Sequence, residues 1–196
     1  MYNFKVFSDF VCPFCYIGFT IADKLNVERD DVNFYWYPYE LDASVPEKGS
    51  DMGASIPQDQ LKIAYERIEM LGSEYGLKYN NKSKKFNTRK LHLAAMYAQS
   101  VDKFYPFARQ AFRTVFEDGE NVGKLEVIND IGLAAGLNIQ EMNAAINDPT
   151  FMEDFIEAKN LAQVYEIDSV PTFVREDNKK VSNLKDYENF KKDLLE

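Results

Sequence analysis

The sequence predicts an α/β fold in which a β-α-β unit opens the chain, a block of helices follows, and an α-β-β-α unit closes it. Three observations predict this. Residues 2–7 read as a short strand that runs into Cys12-Pro13-Phe14-Cys15 and then a helix with Ile17, Ile21 and Leu25 on one face. The middle of the chain carries apolar stripes at helical spacing. Strand composition returns at Val170-Pro171-Thr172-Phe173-Val174.

The first strand puts Phe4 and Val6 on one face, and the helix after Cys12 is expected to end near Leu25-Asn26. Pro13 suits its first position, where a missing N–H costs nothing. A second strand covers about Val32–Tyr39. It is aromatic on both faces, which fits a strand buried between two helical layers. Residues 42–57, with Pro46, Gly49, Gly53 and Pro57, read as a loop. A helix from Gln58 to about Leu71 carries Leu61, Ala64, Tyr65 and Ile68 on one stripe. Lys78–Lys85 reads as a solvated loop. Asn87 or Thr88 caps a helix with Leu91, Ala94, Ala95, Ala98 and Val101. A further helix follows Tyr105-Pro106, with a turn at residues 118–121. Lys124–Ala135 is helical and closed by Gly136, and Asn138-Ile139-Gln140-Glu141 has the spacing of a capping box. Asp148-Pro149 starts a helix whose stripe, Phe151, Phe155, Ala158, Ala162 and Tyr165, should pack back on the sheet. A fourth strand is expected at Lys179–Leu184, and Asp186 caps a terminal helix with Tyr187, Phe190 and Leu194 inward.

Composition narrows the function classes. Lys and Arg number 23 against 32 Asp and Glu, a net charge of −9. Such a balance argues against general affinity for nucleic acid or anionic membranes. No stretch of about 18 apolar residues would span a membrane. The first strand begins at once, leaving no room for a secretory signal, so a cytoplasmic protein is expected ahead of the alternative, a sequence that begins after processing. In a reducing cytosol a cysteine pair is more often catalytic or redox-sensing than structural.

The chemistry centres on the two cysteines of the chain, Cys12 and Cys15. Free amides and the dipole at a helix N-terminus stabilise a thiolate at Cys12, and Cys15, one turn further in, is placed to resolve a mixed disulfide. A zinc site needs further ligands, and the chain offers one His and no more Cys, so no metal is expected. Two inert core thiols are the blander alternative. The strand–Cys-Pro-x-Cys–helix context favours a redox dithiol. Asp9 either moves protons at Cys15 or hydrogen-bonds the loop. His92, on an alanine-rich helix, reads first as a packing residue and second as a lining of the cleft between the halves. Glu40 reads as a loop anchor.

Four pieces of the sequence together resemble the DsbA-like thioredoxin superfamily, most closely its FrnE-like branch. They are Ser8-Asp9-Phe10-Val11-Cys12-Pro13-Phe14-Cys15-Tyr16-Ile17-Gly18, Pro38-Tyr39-Glu40-Leu41-Asp42, Asn87-Thr88 with His92, and Val170-Pro171-Thr172-Phe173-Val174. That branch borders the 2-hydroxychromene-2-carboxylate isomerases and the kappa-class glutathione transferases. The resemblance implies a thioredoxin fold with a large helical insertion between its β-α-β and β-β-α halves. Residues 1–45 and 149–196 would form the thioredoxin-like domain and residues 46–148 the inserted one. It further implies a nucleophilic Cys12, a resolving Cys15 and a cis-proline at Pro171. Val170, Pro13 and Phe14 would join Pro171 in binding substrate, with Val170 pairing to an extended segment as an added strand.

Phe14 departs from the redox branch, where Trp or His often stands. It carries no charge or donor, so thiolate stabilisation falls to the helix terminus and a middling reduction potential is expected. The relatives that use glutathione typically have Ser at the position of Cys12, so the paired cysteines favour the redox side. The leading expectation is a thiol–disulfide oxidoreductase acting on a protein or small thiol. It needs no cofactor beyond a redox-active Cys12–Cys15 disulfide, and glutathione stays open as a co-substrate. A glutathione-dependent isomerase or transferase of small aromatic compounds is the alternative, and a client-binding module with incidental thiols is a third.

Overall fold

The computed structural model describes residues 1–52 and 56–196. The expected loop residue Gly53 lies outside them. Strand β1 (Tyr2–Ser8) leads through a short loop to α1 (Pro13–Glu28), and β2 (Val32–Pro38) returns parallel to β1, with Phe4 opposite Phe34 and Val6 opposite Trp36. At the far end of the chain come β5 (Thr172–Arg175) and β6 (Lys180–Val181). Strand β5 runs antiparallel to β1 with Phe173 opposite Val6, giving the sheet order β2-β1-β5-β6. Chain start and chain end thus build one sheet, as the resemblance implied.

Between them lie the paired two-residue strands β3 (Ser50–Asp51) and β4 (Lys84–Lys85) and a run of helices: α2 (Gln58–Ser73), α3 (Arg89–Ser100), α4 (Phe104–Arg113), α5 (Leu125–Ala134), α6 (Ile139–Ile146) and α7 (Pro149–Val164). Helix α8 (Tyr187–Leu195) closes the chain. Several ends follow from local chemistry. Asp148 accepts from Thr150 N at 2.8 Å ahead of Pro149, Asp186 accepts from Asn189 N, and Gly136, at φ 74°, stops α5. Asn138 accepts from the amides of Gln140 and Glu141, and Glu141 answers by binding the cap's side-chain amide.

One sheet face, Phe4, Val6, Phe34, Trp36 and Phe173, packs on α1, α8 and the helical block. Phe190 stands edge-on to Phe173 at 5.2 Å, and Phe104 stacks on Trp36 at 5.1 Å. The other face carries Phe7 and Val174 against Ala162 and Tyr165 of α7, as the stripe on that helix predicts. The helical block is glued to α1 by aromatic contacts. Phe112 lies 5.3 Å from Tyr16 with rings nearly parallel, and also meets Phe10 and Phe19. Buried apolar residues of both halves belong to one continuous cluster.

Some expectations need correcting. Strand β2 is at the sheet edge, and Tyr35 is 51% exposed. Helix α4 starts at Phe104, because Pro106 sits in its first turn where no N–H is needed. It then runs on as a wider π turn through Thr114–Asp118, ended by Gly119 at φ 71°. Residues 78–85 are not simply a solvated loop. Tyr79 and Asn81 are buried, with Tyr79 packed edge-on to Tyr16 and Phe116, and Lys84–Lys85 pair with β3. The last two strands are shorter than their sequence runs: β5 begins at Thr172, after the expected cis-proline Pro171, and pairing of β6 stops at Val181.

Candidate active site

Ser8 ends β1, and the loop Asp9-Phe10-Val11 delivers Cys12 to the N-cap of α1. The Cys12 amide donates to the Asp9 carbonyl at 3.1 Å, and the Cys12 carbonyl accepts from the amides of Cys15 and Tyr16. This hydrogen bonding fixes the two cysteines one turn apart. Cys12 retains 8% exposure and Cys15 none, and both are free thiols. The Cys12 thiol donates to the Val170 carbonyl at 3.5 Å, across 158 residues of chain. The Asp9 amide donates to Cys15 Sγ, also at 3.5 Å. Burial, and then the neighbouring Cys12, push the Cys15 thiol well above its ordinary value. The Ser8 hydroxyl and the Asp9 amide pull the other way without matching them.

Of the expected substrate-binding residues, Val170 contacts Cys12 through its carbonyl and precedes Pro171, while Pro13 and Phe14 follow Cys12 in the first turn of α1. Close packing sets the first pair in place. A Cβ added at Gly18 would come within 2.8 Å of the Pro171 ring, so α1 can approach the proline only at a glycine. Pro13 and Phe14 border a groove of about 360 Å3 walled by Leu41, Val45, Leu61, Tyr65 and Phe86. Arg67 of α2 lies over the Phe14 ring at 5.9 Å.

Asp9 and His92, kept apart in the sequence reading, form a buried pair. His92 Nε2 lies 3.1 Å from Asp9 Oδ1, while Asp9 Oδ2 accepts from the Leu41 amide at 2.8 Å. Asp9 is wholly buried and His92 is 3% exposed. His92 therefore faces the interior, beside Phe10 and a small cavity, and does not line the open groove. Glu40 anchors its loop through a two-pronged bond to Arg89, which also lies 4.9 Å above the Phe155 ring.

Sequence reasoning missed Arg89, Tyr65, Tyr79 and Arg67. Arg89 directly follows Asn87-Thr88, but nothing local announces its partner 49 residues away. Tyr79 donates to the Pro13 carbonyl at 3.3 Å and was hidden in a basic, polar stretch. Burial first keeps the Tyr65 and Tyr79 hydroxyls protonated, followed by the Cys12 sulfur at Tyr65 and by Tyr16 and then Cys12 at Tyr79. Tyr65 is pushed up to about 12 and Tyr79 is raised further. Among the described residues no three His, Cys, Asp or Glu side chains gather as a metal site, and no helix is long and apolar enough to cross a membrane.

A family model described as a DSBA-like thioredoxin domain matches residues 4–195. The chain is 25% identical over 176 residues to the uncharacterized protein YwbO of Bacillus subtilis, covering 88% of this chain and 86% of that one. Among solved structures it is similar to a probable DsbA oxidoreductase from Streptomyces coelicolor, with TM-score 0.87, 22% identity, and coverage of 99% and 88% of the two chains. The cytosolic disulfide reductase DsbM from Pseudomonas aeruginosa, solved with GSH, matches at TM-score 0.74 and 16% identity, over 97% and 96% of the chains.

Proposed function

We propose, for a chain that belongs to the DSBA-like thioredoxin domain family, that Cys12 and Cys15 form the redox centre of a thiol–disulfide oxidoreductase. The Cys12 thiolate attacks a substrate disulfide, forms a mixed disulfide and releases the first substrate thiol. Cys15 then attacks Cys12 Sγ and expels the second. The chain is left with a Cys12–Cys15 disulfide, which a thiol reduces; run in reverse, the same steps oxidise a substrate dithiol.

The observation that carries this reading is the position of Cys12. Its sulfur sits at a helix N-terminus, 3.5 Å from the Val170 carbonyl and beside a groove, while its partner sulfur is buried one turn behind. A packed pair of inert thiols would have no such access. The Val170 backbone is available to an extended substrate as an added strand, with Pro171, Pro13 and Phe14 around the exchanging sulfurs. Glutathione fits as the reducing thiol, a reading supported by the GSH held in the similar DsbM structure. Domain roles follow: the sheet half carries the chemistry, and residues 46–148 supply part of the groove wall, with Leu61, Tyr65 and Phe86.

Insulin reduction, or reactivation of scrambled ribonuclease, tests the proposal. Cys12→Ser is expected to abolish turnover, and Cys15→Ser to stop it at a trapped mixed disulfide. Turnover retained in Cys12→Ser overturns the assignment. Redox titration of the pair against glutathione sets the direction of electron flow. Glutathione binding without any disulfide turnover would instead support an isomerase or transferase.

A further inference from the structure

We infer that a second pocket, between α7 and the segment after β2, binds a small organic anion: one carboxylate on an aromatic or branched apolar body. The inference does not rest on the oxidoreductase reading.

The pocket encloses about 340 Å3, within the range of small-molecule sites. Among the described residues, its walls share no residue with the groove beside Cys12. The segment after β2 divides the two cavities. Tyr39, Glu40 and Ala43 face the pocket, whereas Leu41, Asp42 and Val45 face the groove. The Tyr39 hydroxyl ties the pocket's two sides together by donating to the Ile167 carbonyl at 3.4 Å.

Met152, Phe155, Ile156 and Ile167 supply the apolar wall. Phe155 is buried, but its neighbour Ile156 is 50% exposed. An isoleucine left open at a pocket wall gains from an apolar occupant.

The charged groups of the lining are Glu40, Arg89 and Lys159. The pocket therefore carries one positive charge in excess, on a chain of net charge −9. Glu40 takes its bonds from Arg89 Nε and Nη2. Among the described residues, the two hydrogens of Arg89 Nη1 have no partner and Lys159 forms no ion pair. The guanidinium is fixed along one edge by Glu40 and over one face by the Phe155 ring, 4.9 Å away. Its free edge is thus oriented in advance, and little freedom is lost when a carboxylate binds there. A single negative charge matches the excess. An inorganic anion would leave the apolar wall bare.

NMR of isotope-labelled methionine methyl groups reads the two cavities separately, because Met152 lines the pocket and Met52 the groove. The probe is phenylbutyrate, with phenylbutanol as its uncharged counterpart, and Met152→Leu and Met52→Leu assign the two signals. Phenylbutyrate is expected to shift the Met152 signal saturably, through its ring current, and to leave Met52 in place. Phenylbutanol should bind about tenfold more weakly. Lys159→Glu, at an exposed position, should weaken phenylbutyrate by at least about tenfold, while Lys159→Arg keeps wild-type affinity. Movement of the Met52 signal at the same concentrations, or none at Met152, overturns the inference. So does equal affinity for the alcohol, or wild-type affinity in Lys159→Glu. Should Lys159→Glu fail to unfold cooperatively, Lys159→Gln decides by the same loss.

Discussion

At the scale of single residues, the buried thiol of Cys15 ties stability to pH. In the reduced protein the native state holds a proton that the unfolded chain gives up near 9. Above that pH the unfolded state binds fewer protons, so stability falls as pH rises. Tyr65, Tyr75 and Tyr105, pushed up by burial from 10 to about 12, add the same slope only from about pH 10. Between pH 9 and 10 the thiol is the largest single contributor, while the tyrosines begin to add theirs. Urea unfolding across that interval should show reduced wild type weakening more steeply than Cys15→Ser; equal slopes would refute the assignment. The dithiol was legible because both its residues sit in one short stretch. The Asp9–His92 bond was not, since its partners lie 83 residues apart and neither carries a local sign of the other.

At the scale of elements, two close contacts make predictions. Gly18→Ala presses a Cβ toward the Pro171 ring, which has no rotamer to escape into. It should cost about 1–3 kcal/mol, read from the urea midpoint, and slow insulin reduction as the Val170 carbonyl moves off Cys12. Arg89→Ala strands the Glu40 carboxylate, whose side chain is only 9% exposed. A loss of about 1–3 kcal/mol is expected, smaller in Arg89→Lys. A loss below about 0.5 kcal/mol would class the pair with exposed ones. Helices read well from the sequence because caps and stripes are local, as at Asp148, Asn138 and Asp186. Strands read less well, because pairing is not. Lys84–Lys85 becomes a strand only through Ser50–Asp51 opposite, and β6 holds only the two residues that face Phe173 and Val174.

At the scale of the whole molecule, the aromatic contacts from Phe10, Tyr16 and Phe19 to Phe112 join the helical block to the sheet half. With apolar burial continuous across both, a single cooperative transition is expected. Trp36, the one tryptophan, touches Phe104 on one side and Phe173 on the other. Its fluorescence and the far-ultraviolet circular dichroism should change together in urea; two separated midpoints would show that the block unfolds alone. Phe112→Ala should lower the shared midpoint by about 3–5 kcal/mol equivalent. The order of the helices and of the four strands of the main sheet was legible, the β3–β4 pair was not, and the edge position of β2 depends on which strands flank β1. The contact between Cys12 and Val170 has a further consequence for how the protein is made. Cys12 is synthesised well before its partner, and the backbone carbonyl it bonds follows 158 residues later. Until residue 170 has been synthesised, the Cys12 sulfur lacks the carbonyl it bonds, and a product truncated before β5 would lack it for good.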